Sequence, residues 1–293
     1  MRIYIPRNET EYLKQYGSEE ACQRRVFELR RGTTFGCPNC RGKSWREMKR
    51  QPADGRPATW HRVCRKCGWQ ERPLAGTRLH GLKIRLQDFC KICWLAAGAP
   101  TGFDVRLLRG PEARRLVLDL GSNRTYYRSV QLVRKIMAAS LPKLEGKLEF
   151  KLLKLAHPRA RADRQKVVVI LAEPGNKKRV RAGVLPDEQA ASIKRWLEAV
   201  TAAGVTVRRN SGKQVAVENV GRRLKGWLEK VGWDAIDARN LPDYLTEFSW
   251  RQTGHGTQGS RFVQMLRSAQ KRLSLPTKAG VSFLRDGQTA QNP

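Results

Sequence analysis

Apolar residues recur along this chain with two different periods, and the change between them falls near residue 144. Before it the spacing is helical: Leu86, Phe89, Cys90, Cys93 and Trp94 share one face, and Tyr127, Val130, Val133, Ile136 and Met137 share another. Beyond it, residues 147–155 alternate as a strand, and 166–171 is a near-continuous apolar run of the kind covered on both faces. Glu173-Pro174-Gly175-Asn176-Lys177 predicts a turn into a hairpin partner over 179–184. A helix opening at Pro186-Asp187-Glu188 presents Ile193, Trp196, Leu197 and Val200, and 204–208 supplies a fourth strand. Three strands, a helix and another strand predict a mixed α/β sheet. Helices are expected next at 220–231, 241–248 and 260–273, with a loose polar end beyond Pro276.

The helical stretch is broken in an informative place. Pro111 suits a helix start, Asp119-Leu120-Gly121-Ser122-Asn123 reads as a turn, and helical spacing resumes over 124–137. Gly121 stands where a left-handed backbone angle is needed, and Ser122 or Asn123 can cap the second helix. This is the grammar of a helix-turn-helix. Its second helix would present Arg124, Thr125, Arg128 and Gln131 on its exposed side, its first residues on base edges in a major groove and Arg128 and Arg134 on phosphates. Helix pairs with a glycine turn are also common in proteins that never touch DNA.

Upstream, Cys37-Pro38-Asn39-Cys40 and Cys64-Arg65-Lys66-Cys67 form two tight thiol pairs. A gap of two residues lets both sulfurs of a pair reach one tetrahedral ion, so the four cysteines predict structural zinc. The intervening basic segment, with Trp45 and Trp60, is too short to fold by burial alone and reads as a hairpin held by the metal. Two disulfides are the alternative. Cys90 and Cys93 sit on a helical face and read as core, with a second metal site as their alternative; Cys22 also reads as core. His61 reads as a surface residue, because four sulfurs complete the shell.

Charge narrows the partners. The 293 residues include 58 Lys and Arg against 26 Asp and Glu, a net charge of +32 spread along the whole chain. Such a field attracts polyanions, of which nucleic acid is the commonest, and a membrane surface is the weaker reading. No apolar run approaches the roughly 18 residues of a spanning helix, and Met-Arg-Ile-Tyr-Ile-Pro reads as neither a signal nor a transit sequence. A cytoplasmic, nucleoid-associated protein with reduced thiols is expected.

The order of these parts resembles a family. Segments 19–30, 35–40, 64–67 and 75–80 look like the front end of the zinc-ribbon insertion-sequence transposases of the ISXO-like group. Leu120-Gly121-Ser122-Asn123-Arg124-Thr125 resembles that family's helix-turn-helix turn, and Leu144-Glu145-Gly146-Lys147-Leu148-Glu149-Phe150 the start of its RNase H-like catalytic sheet. Val184-Leu185-Pro186-Asp187 and 240–248 look like later landmarks, so the likeness covers most of 12–275. The resemblance implies acidic residues, with an amide in the third place in some members, holding two divalent metals. The matching positions here are Lys151, Asn210, and Asn219 with Arg222. A lysine ammonium repels a divalent ion and offers no lone pair, and strand alternation puts Glu149 on the face of Lys151, where the two can pair.

The sequence therefore predicts an α+β multidomain chain. Its expected parts are an N-terminal helical segment (1–30), a zinc ribbon (31–80), a helix-turn-helix segment (81–143), a degenerate RNase H-like domain (144–252) and a basic C-terminal helix and tail (253–293). The expected function is zinc-dependent recognition of double-stranded DNA without strand transfer, compatible with a homodimer or a larger nucleoprotein assembly. The rivals are an active transposase with displaced carboxylates and a scaffold subunit of a nucleoprotein complex.

Overall fold

The computed structural model describes residues 5–31, 36–51, 59–100, 102–155, 165–174, 176–209, 215–232, 238–253 and 256–270, a mixed α+β fold with nine α-helices and two sheets among them. Helices α1 (Glu9–Tyr16) and α2 (Glu19–Arg31) start the chain. The Asn8 side chain accepts the Glu11 N–H at 2.9 Å and Ser18 Oγ accepts that of Ala21 at 3.1 Å, so each helix begins where a cap satisfies a free donor. Next come α3 (Leu86–Gly98), the short α4 (Pro111–Arg115) and the long α5 (Asn123–Ser140); α9 (Gln258–Gln270) closes the described residues.

Segments that read apart in the sequence share one core. Tyr12 and Tyr16 of α1, Trp94 of α3 and Phe262 of α9 form an aromatic cluster, with Tyr12 and Trp94 stacked at 4.7 Å and Tyr16 edge-on to Phe262 at 4.8 Å. Cys22, Cys90 and Cys93 are buried in the same core, and burial pushes the Cys90 and Cys93 thiols up, as expected of inert small hydrophobes. Helix α9 reaches this place because Gly259 has no side chain: a Cβ there would stand 1.8 Å from the Pro6 carbonyl oxygen.

The larger sheet has four strands, β4 (Lys147–Leu155), β5 (Lys166–Glu173), β6 (Asn176–Leu185) and β7 (Thr206–Arg209), in the order β6-β5-β4-β7. The first three pair antiparallel as consecutive strands, and β7 returns parallel to β4 with Glu149 opposite Arg208. Helix α6 (Ala190–Val200) makes the crossover and lays Trp196, Leu197 and Val200 on one face, over Leu148 and Leu171. Helices α7 (Val215–Lys230) and α8 (Leu241–Gln252) cover the other, packing Val217, Leu224, Leu245 and Phe248 on Val168 and Ile170. The apolar run of β5 is thus explained by helices on both faces. Helix α7 starts before the predicted 220, and α6 starts at Ala190 after Asp187 bonds the Gln189 N–H at 3.0 Å. The C-terminal tail from residue 271 lies outside the described residues.

A buried ionic network ties α5 to α8. Glu247, fully buried, accepts from Arg134 Nε at 3.0 Å, from Arg251 Nη2 at 2.8 Å and from the Phe103 N–H at 2.7 Å. Arg134 also lies 3.8 Å over the Tyr244 ring. Burial alone would lower the Arg134 pKa, but Glu247 and Tyr244 outweigh it and hold it above its ordinary value. Arg134 is therefore structural. The sequence placed it on phosphate; a guanidinium enclosed between two helices cannot reach one.

Candidate metal centre and nucleic-acid interface

The smaller sheet orders β1 (Trp45–Arg50), β2 (Thr59–Cys64) and β3 (Gln70–Glu71) as an antiparallel meander, one strand more than the predicted hairpin. Two turns, one before β1 and one between β2 and β3, share the same design. Cys37 N–H bonds the Gly42 carbonyl and Arg41 N–H the Cys37 carbonyl; likewise Cys64 N–H bonds Trp69 and Gly68 N–H bonds Cys64, all between 2.8 and 3.0 Å. The residue after the second cysteine of each pair takes a left-handed angle, Arg41 at φ 58° and Gly68 at φ 72°.

These turns bring all four sulfurs within 4.8 Å of one another, with Cys37 to Cys67 and Cys40 to Cys64 at 3.6 Å. All four thiols are free. A tetrahedron of metal–sulfur bonds of about 2.3 Å has edges of about 3.8 Å, so the cluster can hold a metal ion with little adjustment. The Trp69 N–H, then the Asn39 side chain, hold Cys67 down at about 6, and backbone N–H groups also lower Cys64. At Cys40 the Gly42 N–H works downward, but desolvation and the three other sulfurs outweigh it and push the thiol up to about 12. Four crowded sulfurs that resist full ionisation are a set that a cation would complete.

The ribbon is anchored on α2. Arg62 lies between the Phe27 ring at 4.7 Å and the Trp45 ring at 4.4 Å, Arg24 stacks 4.5 Å from Trp60, and Gln23 Oε1 accepts the Trp60 N–H at 2.8 Å. His61, expected at the surface, is buried. Its ring contacts Thr59 Oγ1 at 3.2 Å, and burial, then Arg72 and Arg50, lower its pKa. Strand β2 is the middle strand of the three, so His61 lies between β1 and β3 rather than at an edge.

The predicted turn before α5 has the expected chemistry. Asp119 Oδ1 accepts the Gly121 N–H at 2.8 Å, Gly121 has φ 71°, and Ser122 Oγ caps the Thr125 N–H at 3.3 Å. Thr125 Oγ1 meets that same serine at 2.9 Å, so its hydroxyl serves the cap. Arg124, Arg128 and Gln131 are exposed on one side of α5. Tyr127, predicted to be inward, is 62% exposed beside them, and Tyr126 takes the inner position instead, with Arg109 4.8 Å over its ring. Lys135 extends the exposed face. Tyr127 and Lys135 were readable from their rotation relative to Arg124, at three and eleven residues on. Helix α5 contains no Asp or Glu, so the positive charges of its outer face are unopposed within the helix.

At the sheet, Lys151 pairs with Glu218 of α7 and not with Glu149. Helix α7 crosses this face and delivers an acid that sequence distance concealed. Glu149 is buried, and its Oε2 has no hydrogen-bond partner among the described residues. Arg222 bonds the Asn219 side chain one helical turn away. Asn210 lies outside the described residues.

Among the described residues the four cysteines are the single group of three or more Cys, His, Asp or Glu close enough to share an ion, and no helix is long and apolar enough to cross a membrane. Compared with protein-family models, with curated proteins and with solved structures, the chain finds no match in any of the three.

Proposed function

We propose that this chain is a transposase-derived, zinc-dependent protein that recognises duplex DNA through its ribbon and helix-turn-helix and does not join strands. The observation that carries the reading is the outer face of α5. It begins at a capped glycine turn and presents Arg124, Tyr127, Arg128, Gln131 and Lys135 without a carboxylate. A guanidinium can read guanine bidentately, and lysine and arginine can hold flanking phosphates. Zinc suits the ribbon because four sulfurs within 4.8 Å of one another, two of the pairs at 3.6 Å, come close to the edges of its tetrahedral shell.

The sheet supports descent from an RNase H-like shell, since three consecutive antiparallel strands followed by a fourth parallel to the first is the order that fold uses. The Lys151–Glu218 pair supports loss of chemistry, because it puts an ammonium where the resemblance requires a metal ligand and consumes the nearest helix carboxylate. Nucleoid association follows from DNA binding, and a homodimer would double the contacts on a palindromic site.

The active-transposase reading draws on one observation, the buried Glu149 with an unpartnered oxygen on the same strand face as Lys151. Strand-transfer assays with magnesium or manganese on DNA selected by the protein decide between the two: no product is expected, and metal-dependent product lost in Glu149→Gln would establish the rival. DNA recognition is tested by selecting a preferred duplex and measuring anisotropy with Arg124→Ala and Arg128→Ala. A base-reading arginine costs about 1 to 3 kcal/mol on that duplex alone, and a phosphate contact weakens all duplexes alike. Unchanged binding in both variants would remove α5 from the interface.

A further inference from the structure

A cavity of about 320 Å³ opens where the end of α5, strand β6, helix α6 and helix α8 meet, lined in part by Leu141, Lys143, Arg181, Val184, Trp196 and Thr246. It lies apart from the ribbon and from the outer face of α5. Its size is at the lower end of small-molecule pockets, which run from roughly 300 to 1,000 Å³. None of its lining residues is acidic.

Arg181 sets its chemistry. The residue is 4% exposed, and its guanidinium donates to two backbone carbonyls, Val180 at 2.7 Å and Pro142. Carbonyls satisfy donors but carry no net charge. Burial lowers the Arg181 pKa to about 10, with no carboxylate among the described residues pulling it back, so at neutral pH the group is still a cation. Arg134 and Arg251, equally enclosed, share the Glu247 carboxylate. A buried charge without an opposite charge is costly, and an arginine fork beside a cavity is shaped for an oxyanion. The rest of the wall is largely apolar. Gly183 lets the Trp196 indole lie against β6 as part of that wall, since a Cβ there would stand 2.2 Å from Trp196 Nε1 and displace it.

We propose that this cavity binds a small organic anion, with a phosphate or carboxylate group on Arg181 and an apolar body against Trp196 and Val184. Lys143 at the same wall adds a second positive charge.

The test is calorimetry on the full chain with phenyl phosphate, inorganic phosphate and benzyl alcohol as probes. One saturable site for phenyl phosphate is expected, at least tenfold tighter than for either other probe. Arg181→Met should weaken it at least tenfold with bound metal and helical signal retained. Should that variant misfold, Arg181→Lys, which keeps the charge but loses the fork, should weaken it several-fold. Equal affinity for the three probes, or unchanged binding in the folded Arg181 variants, overturns the proposal. Displacement of phenyl phosphate by duplex DNA would also overturn it, assigning the cavity to a backbone phosphate. The Arg124→Ala and Arg128→Ala proteins should bind phenyl phosphate normally, which separates this site from the DNA reading.

Discussion

Replacing Glu247 by Gln keeps the shape of the side chain and removes one charge from a fully buried place. Its carboxylate holds two guanidiniums and one backbone N–H, and the side chains of Arg134 and Arg251 are 5% and 9% exposed. A surface ion pair is worth about 0 to 1 kcal/mol, whereas removing one partner from a buried pair costs about 3 to 5 kcal/mol. The second figure applies, and it is a large part of the roughly 5 to 15 kcal/mol that keeps a domain folded. Arg134→Met should cost less, about 1 to 3 kcal/mol, because Glu247 keeps Arg251 and the Phe103 N–H. Urea unfolding followed by circular dichroism measures both. A loss below about 1 kcal/mol for Glu247→Gln, or equal losses for the two variants, would refute the assignment of the network as the tie between α5 and α8. The salt dependence of DNA binding should be the same in Arg134→Met as in the parent, since this side chain faces no phosphate.

Reduced protein should carry one zinc ion per chain by mass spectrometry, and Cys40→Ser should lose both the ion and the ordered ribbon, since metal binding supplies its folding energy. Ligation needs thiolates, so zinc should be retained at neutral pH and released on acidification as protons compete with the ion for the four sulfurs; a chromogenic chelator follows the release, and retention independent of pH would refute thiolate ligation. Arg41→Gly should stabilise the ribbon by about 1 kcal/mol, because glycine adopts φ 58° without the steric cost of a Cβ, and metal-retention assays against a chelator would register it as slower loss. Lys151→Met should leave Glu218 without its partner yet produce no strand transfer; metal-dependent product in that variant would mean that lysine alone blocks an intact site.

Local chemistry was legible in the sequence, and contacts across the fold were not. Asp119, Gly121 and Ser122 each act within a few residues of themselves, so the turn before α5 could be read directly, as could the two cysteine turns and the apolar run of β5. Arg134 was misread although a signal existed: it shares a helical stripe with Val130, Val133 and Met137, and that rotation pointed it inward. The Lys151–Glu218 pair depends on which helix crosses which strand, and the burial of His61 on a third strand pairing beyond β2; no local pattern records either. The merging of α1, α2, α3, α5 and α9 into one core was hidden for the same reason, because Phe262 must travel past the whole sheet to meet Tyr12.

That meeting sets an order of events during synthesis. The ribosome delivers α1, α2 and α3 before the sheet, but their aromatic cluster lacks Phe262 until α9 has emerged. The ribbon cysteines lie within 31 residues of one another, so a nascent chain can capture metal almost at once. The four-stranded sheet comes next, from neighbouring hairpins and one crossover. The helical core that begins to emerge earlier is therefore completed later, and a message truncated before the Gln258 codon would yield a loaded ribbon on an open, sticky helical half.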